Sequence, residues 1–183
     1  MKNIYFICPD INKPSGGIKQ IYRQVDVLNN NGFNAFILHE KPKFRCTWFT
    51  NTTKIVYNQE VFFYLNRNSK SNLTLKESLK SYLKKTILRT KQFIYKNKNI
   101  SITLNDILVL PEVYGPYIGD VFKGVKKVIY NQGAYQTFFK YNLNLTNLRS
   151  PYIEEDLVAV IVNSEDAKKY IEMQITTTIP NTK

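Results

Sequence analysis

The feature that most constrains this chain is its first 39 residues, which read as strand, helix, strand. Ile4–Cys8 is a short apolar run. The segment Pro9-Asp10-Ile11-Asn12-Lys13-Pro14-Ser15-Gly16-Gly17 then breaks the chain with two prolines and ends on two adjacent glycines. Beyond it Ile18, Ile21, Tyr22, Val25 and Leu28 recur at helical spacing, and Gly32 stands where a helix C-cap glycine belongs. Asn34–Leu38 is a second apolar run and stops at the only histidine, His39. Two strands joined through one helix must run parallel, with a right-handed crossover. The expected fold class is therefore α/β, a Rossmann-like doubly wound parallel sheet.

The same rhythm returns after residue 106. Ile107–Leu110 reads as a buried strand that stops at Pro111-Glu112, and Tyr114-Gly115-Pro116 turns the chain into a short helix over Ile118–Phe122. Lys126–Tyr130 is the next strand, followed by Asn131-Gln132-Gly133. Leu157–Val162 is another of the same kind, ending at Asn163-Ser164. Ser164 is a natural N-cap with Glu165 and Asp166 in the first turn, so a helix to about Met173 follows, and then a β-prone run, Ile175–Ile179. Between the halves, Ile55–Tyr57 fits a short third strand. Val61–Leu65 fits either strand or helix, because periodicity does not decide at that length.

In a parallel sheet the strand ends at Glu112, Asn131-Gln132 and Asn163-Ser164 share one edge with the Gly16-Gly17 loop, so four loops converge on one crevice. The glycine pair has two readings. It is a tight turn, or it is an anion site in which close backbone N–H groups act together with the helix dipole. His39 lies just past a strand end and reads as a loop residue or as a substrate contact. The polar groups on this edge are amides, a hydroxyl, one carboxylate and backbone N–H, which suit a sugar and a phosphate. No metal cluster, Ser/His/Asp set or Cys/His pair stands out, so the sequence names no catalytic residue and no metal ligand.

Charge divides the chain unevenly. Of a net +12, +9 falls in residues 67–98, where ten Lys and Arg face one acid, Glu77. Thr74-Leu75-Lys76-Glu77 has the capping-box pattern, and Leu75, Leu79, Leu83 and Ile87 follow at i, i+4 spacing. A helix from Thr74 to about Tyr95 would carry Lys76, Lys80, Lys84, Lys85 and Arg89 toward an anionic membrane. Equally, it would be a solvated helix packed by its leucines. A nucleic-acid groove ranks third, since few aromatics stand among the charges. The run before Pro9 is too short for a signal-peptide core, and no apolar run approaches a membrane span. Cys8 and Cys46 make no disulfide framework. The expectation is a cytoplasmic chain, peripheral at the inner face of the membrane if the basic segment binds lipid.

Several stretches together resemble the N-terminal, acceptor-side domain of glycosyltransferases with the two-domain GT-B architecture, most like the retaining family of bacterial cell-surface polysaccharide enzymes. They are Pro14-Ser15-Gly16-Gly17-Ile18, Gly32-Phe33-Asn34-Ala35-Phe36, Leu110-Pro111-Glu112-Val113-Tyr114-Gly115-Pro116, Val128-Ile129-Tyr130-Asn131-Gln132 and Val160-Ile161-Val162-Asn163-Ser164. Ile179-Pro180-Asn181 is similar to the start of that family's interdomain linker. The resemblance implies one domain over residues 1–183, with a basic insert at about 66–98 and linker from 179.

It also implies sugar transfer from a nucleotide sugar, the co-substrate, to a glycan or lipid-linked acceptor. The substrate-binding set would be Gly16, Gly17, Glu112, Tyr114, Asn131, Gln132 and Ser164. No further cofactor is implied. Members often carry a histidine where this chain has Asn131-Gln132, so a role resting on that histidine has no bearer here. The donor-binding carboxylate motif belongs to a second Rossmann-like domain, and the resemblance implies that residues 1–183 alone transfer no sugar. Two other readings remain open: a non-catalytic binding module for a glycan or lipid phosphate, and a basic nucleic-acid-binding domain.

Overall fold

A computed structural model describes residues 2–66, 100–138, 140–141 and 150–178. Six strands form one all-parallel sheet: β1 (Asn3–Ile7), β2 (Asn34–His39), β3 (Ile55–Tyr57), β4 (Ile107–Pro111), β5 (Lys126–Asn131) and β6 (Leu157–Val162), in the order β3-β2-β1-β4-β5-β6. The six strand runs read from sequence before residue 163 are present, with ends displaced by a residue at most. The order reverses between β1 and β4, where Ile4 lies opposite Ile107.

The apolar runs make sense once both faces of the sheet are covered. On one face Phe6, Cys8, Ala35, Ile37, Val109, Val128 and Tyr130 pack with α1 (Gly16–Asn30), through Ile18, Ile21, Tyr22 and Val25. On the other face Tyr5, Ile7, Leu38, Leu108, Leu110 and Ile129 pack with α2 (Gln59–Leu65), through Val61, Phe62 and Leu65. Neighbouring residues of one strand therefore go to opposite cores. The sheet is doubly wound, as the α/β expectation has it.

Caps explain where the helices stop and start. At the end of α1, Phe33 N–H bonds the Leu28 carbonyl (3.0 Å) and Gly32 N–H bonds that of Asn29 (3.2 Å), with Gly32 at φ +82°. That is a Schellman closure, and it needs a glycine. For α2, the Asn58 side chain accepts from Glu60 N (2.9 Å) and Val61 N (3.3 Å), which settles the strand-or-helix ambiguity of Val61–Leu65 as helix.

Three expectations need correction. The helix expected over Ile118–Phe122 is a 3-10 segment over Glu112–Asp120, with Gly115 at φ +54° inside it and Val121 already extended. Pro116 lacks an N–H and disfavours helical geometry in the residue before it, so no α-helix runs through Gly115-Pro116, and the extended Val121 ends the segment short of Phe122. The β-prone run from Ile175 is instead the last turn of α3 (Glu165–Thr178). β-Branched residues disfavour a helix only slightly, and no glycine or proline intervenes before Pro180. Finally, β6 is not interior: it forms a sheet edge, with Val158 52% and Ile161 46% exposed. The basic helix expected at 74–95, with Lys76, Lys80, Lys84, Lys85 and Arg89, lies outside the described residues, as does the linker from 179. Among the described residues no helix is long and apolar enough to cross a membrane.

Candidate ligand crevice

All six strands point their C-terminal ends to one edge, and the reversal of order there parts the loops after β1 and β4. A crevice of about 440 Å³ opens at this place, lined by Pro9, Asp10, Glu40, Phe62, Asn66, Val113, Tyr114, Gln136 and Lys140. Pro9 and Asp10 follow β1, Glu40 follows β2, Phe62 and Asn66 come from the end of α2, Val113 and Tyr114 follow β4, and Gln136 and Lys140 follow β5. Each strand contributes its next residues because a buried strand must turn where its apolar run ends.

Asp10 is the best-anchored group in the crevice. Its Oδ1 accepts from His39 Nδ1 (2.9 Å) and from Glu40 N (3.2 Å), and its Oδ2 accepts from Lys41 N (2.8 Å). His39 Nδ1 also faces the Cys8 carbonyl (3.1 Å), and its Nε2 lies 2.7 Å from the Tyr22 hydroxyl. Nδ1 meets only acceptors, so it carries the proton, and Nε2 accepts from Tyr22. The Tyr22 oxygen in turn accepts from Cys46 N (3.3 Å). Tyr22, His39 and Asp10 thus form a buried chain of hydrogen bonds running from α1 through β2 to the crevice wall.

The remaining charges differ in support. Among the described residues no donor reaches the Glu40 carboxyl. Burial pushes that carboxyl up from its ordinary range, and the charge of Asp10 adds to this while Lys41 opposes it. Lys140 places its ammonium 4.9 Å from the centre of the Tyr114 ring, a cation–π contact, and burial lowers its pKa. The crevice therefore offers two carboxylates, one ammonium, two amide side chains and the rings of Phe62 and Tyr114. Such a set can bind hydroxyl groups and cover an apolar ring face.

Of the seven residues singled out from sequence, only Tyr114 lines this crevice. Gly17, Gln132 and Asn163 meet in a separate knot beside it. Gln132 Nε2 donates to the Gly17 carbonyl (3.1 Å), and Asn163 Nδ2 donates to the Gln132 carbonyl (2.8 Å). A Cβ on Gly17 would stand 2.6 Å from Gln132 Oε1, so this glycine makes room for a side chain. Gly16 has open space around it. Ser164 is spent as a cap, its Oγ accepting from Ala167 N (3.1 Å).

Asn131 is fully buried and donates to Thr137 Oγ1 (2.7 Å) and Tyr152 OH (2.9 Å). Glu112 is 2% exposed, and burial pushes its carboxyl up against the pull of the backbone groups of Gln132, Glu112 and Gly133. Its Oε2 has no hydrogen-bond partner among the described residues. His39, read as a loop residue or a substrate contact, is the last residue of β2 and has no exposed surface.

Sequence reasoning passed over Asp10, Glu40 and Lys140. For the first two a signal existed, since each follows an apolar strand run by three residues or fewer. Lys140 belongs to no periodic segment and had none. Among the described residues no group of three or more His, Cys, Asp or Glu is placed to hold a metal ion. Comparison with family models, curated proteins and solved structures finds no match to this chain.

Proposed function

We propose that this chain is the acceptor-binding half of a two-domain glycosyltransferase, and that the crevice between the loops after β1 and β4 holds the acceptor sugar. The observation that carries the reading is the lining itself. Asp10, Glu40, Gln136 and Lys140 are hydrogen-bonding side chains around a cavity large enough for one or two sugar rings, with Tyr114 and Phe62 as apolar surface. The resemblance of the strand-end motifs supplies the reaction class, and the doubly wound sheet is compatible with it. Sugar transfer needs donor and acceptor held in line with water excluded, which assigns the donor to a second domain facing this edge. The basic segment at 67–98 would bring the crevice close to an anionic membrane that carries a lipid-linked acceptor.

The test is a saccharide array followed by amide-detected NMR titration of the 183-residue chain. The expected result is millimolar binding, about 4 kcal/mol, with signal changes at Asp10, Glu40 and Val113. Lys140→Ala and Glu40→Gln should each weaken it without altering the fold. Titrations with saccharides and nucleotide sugars that leave these three amides unmoved would overturn the proposal.

A further inference from the structure

We infer that the crevice gives its two carboxylates different roles: Asp10 is held by three donors as a fixed hydrogen-bond acceptor, and Glu40 is the group that takes up and releases a proton there. The inference deepens the acceptor-site reading and rests on it for the identity of the ligand, though not for the division itself.

The division follows from the count of donors. Asp10 receives three N–H bonds, from His39 Nδ1, Glu40 N and Lys41 N, at 2.8 to 3.2 Å. All three partners donate, so its oxygens are committed as acceptors. Behind it, His39 cannot swing away, because Tyr22 holds Nε2 at 2.7 Å and the ring is fully buried. Glu40 receives no donor among the described residues and stands beside Asp10, so a proton settling on it breaks no hydrogen bond there, and only the charge of Lys41 opposes it.

The groups around Glu40 can be named element by element. Asp10 comes from the loop after β1, Lys41 from its own loop, Asn66 and Phe62 from α2, Tyr114 from the 3-10 segment, and Gln136 and Lys140 from the chain after β5. Two of these, Lys41 and Lys140, are cations, and neither pairs with Glu40 within ion-pair distance. Paired titratable groups whose surroundings push them apart are how a site assigns proton acceptor and fixed charge. Toward a sugar, Asp10 would select a hydroxyl as donor. Glu40 would accept from a hydroxyl when ionised and donate to one when neutral.

The experiment is a carbon-13 NMR titration of the side-chain carboxyls in the uniformly labelled chain, with Glu40 assigned by loss of its signal in Glu40→Gln. Glu40 is expected to titrate above the ordinary glutamate range, and Asp10→Asn should move its midpoint back toward that range. Because Asp10→Asn removes part of a buried network, Lys41→Met serves as a second variant. Lys41 is exposed, its backbone N–H is retained, and removing its charge should move the Glu40 midpoint up. Glu40 titrating within the ordinary glutamate range, or unmoved in a folded variant of either kind, overturns the inference. A saccharide array without a hit would remove the acceptor reading and leave this titration as it stands.

Discussion

Replacing Gly17 by alanine separates two reasons for a glycine at the start of a helix. Gly17 is not in the left-handed region, so its backbone alone does not require glycine. What opposes a side chain is Gln132 Oε1, 2.6 Å from the Cβ position, closer than the 3.0 Å that real Cβ atoms respect. The Gln132 amide is the far end of a flexible side chain and can swing away. In doing so it gives up the bond from Nε2 to the Gly17 carbonyl, a partly buried contact of 3.1 Å and about 1 kcal/mol. Against this, alanine in a helix gains roughly 0.4–1 kcal/mol over glycine through a less disordered unfolded chain.

The two terms nearly cancel, so Gly17→Ala should change stability by less than about 0.5 kcal/mol in the native background. In a Gln132→Ala background the bond and the clash are already gone, and the same substitution should stabilise by roughly 0.5–1 kcal/mol. Urea unfolding of the four chains measures the cycle, with a coupling near 1 kcal/mol expected. An equal effect in both backgrounds would show that Gln132 and Gly17 do not meet. A cost above about 2 kcal/mol in both would show that the backbone itself demands glycine.

Two further outcomes follow from named contacts. Tyr22→Phe leaves His39 Nε2 and Cys46 N without the hydroxyl they share, and should cost about 1–3 kcal/mol in a urea titration at neutral pH. Asp106 is buried, which pushes its carboxyl up, but bonds from Thr103 N and Oγ1 and from Asn3 N and Nδ2 outweigh this and hold it below the ordinary aspartate range. A depressed carboxylate stabilises above its unfolded pKa of about 3.9, and that stability is lost as pH falls through the folded value. The fall in urea midpoint on acidification should therefore be shallower in Asp106→Asn than in the native chain.

The sheet was legible because its signal is redundant. In β1 and the residue after it, Tyr5 and Ile7 belong to one core and Phe6 and Cys8 to the other. A strand covered on both faces has to be apolar at every position, and an unbroken run bounded by proline or glycine is visible without knowing its partners. The same logic misled at β6, whose run Leu157–Val162 is as apolar as β4 yet forms an edge. An apolar run records that a strand can be buried on both faces; its neighbours decide whether it is. Helix limits were legible where a cap was local, as at Gly32 and Ser164. They were missed where 3-10 turns over Glu112–Asp120 and an extended Val121 stand in place of a helix over Ile118–Phe122.

The edge of the sheet that carries the crevice was legible but its lining, Tyr114 apart, was not, and topology explains why. Glycines, amides and hydroxyls at strand ends attract notice because they suit ligands. Here Gln132 bonds Gly17 and Asn163, tying the tips of β5 and β6 to α1, while Asn131 donates to Thr137 and Tyr152 and Ser164 caps α3. Their bonds hold the edge of the sheet in shape. The open space lies elsewhere, where the strand order reverses and the loops after β1 and β4 must separate. Its wall is made by Asp10 and Glu40, which are 30 residues apart and meet only because β1 and β2 are paired in register, Ile7 beside Leu38. Strand pairing thus turns two unremarked strand-end acids into neighbours. His39, buried directly beneath them, holds Asp10 in place as an acceptor and leaves Glu40 as the carboxyl without a donor among the described residues.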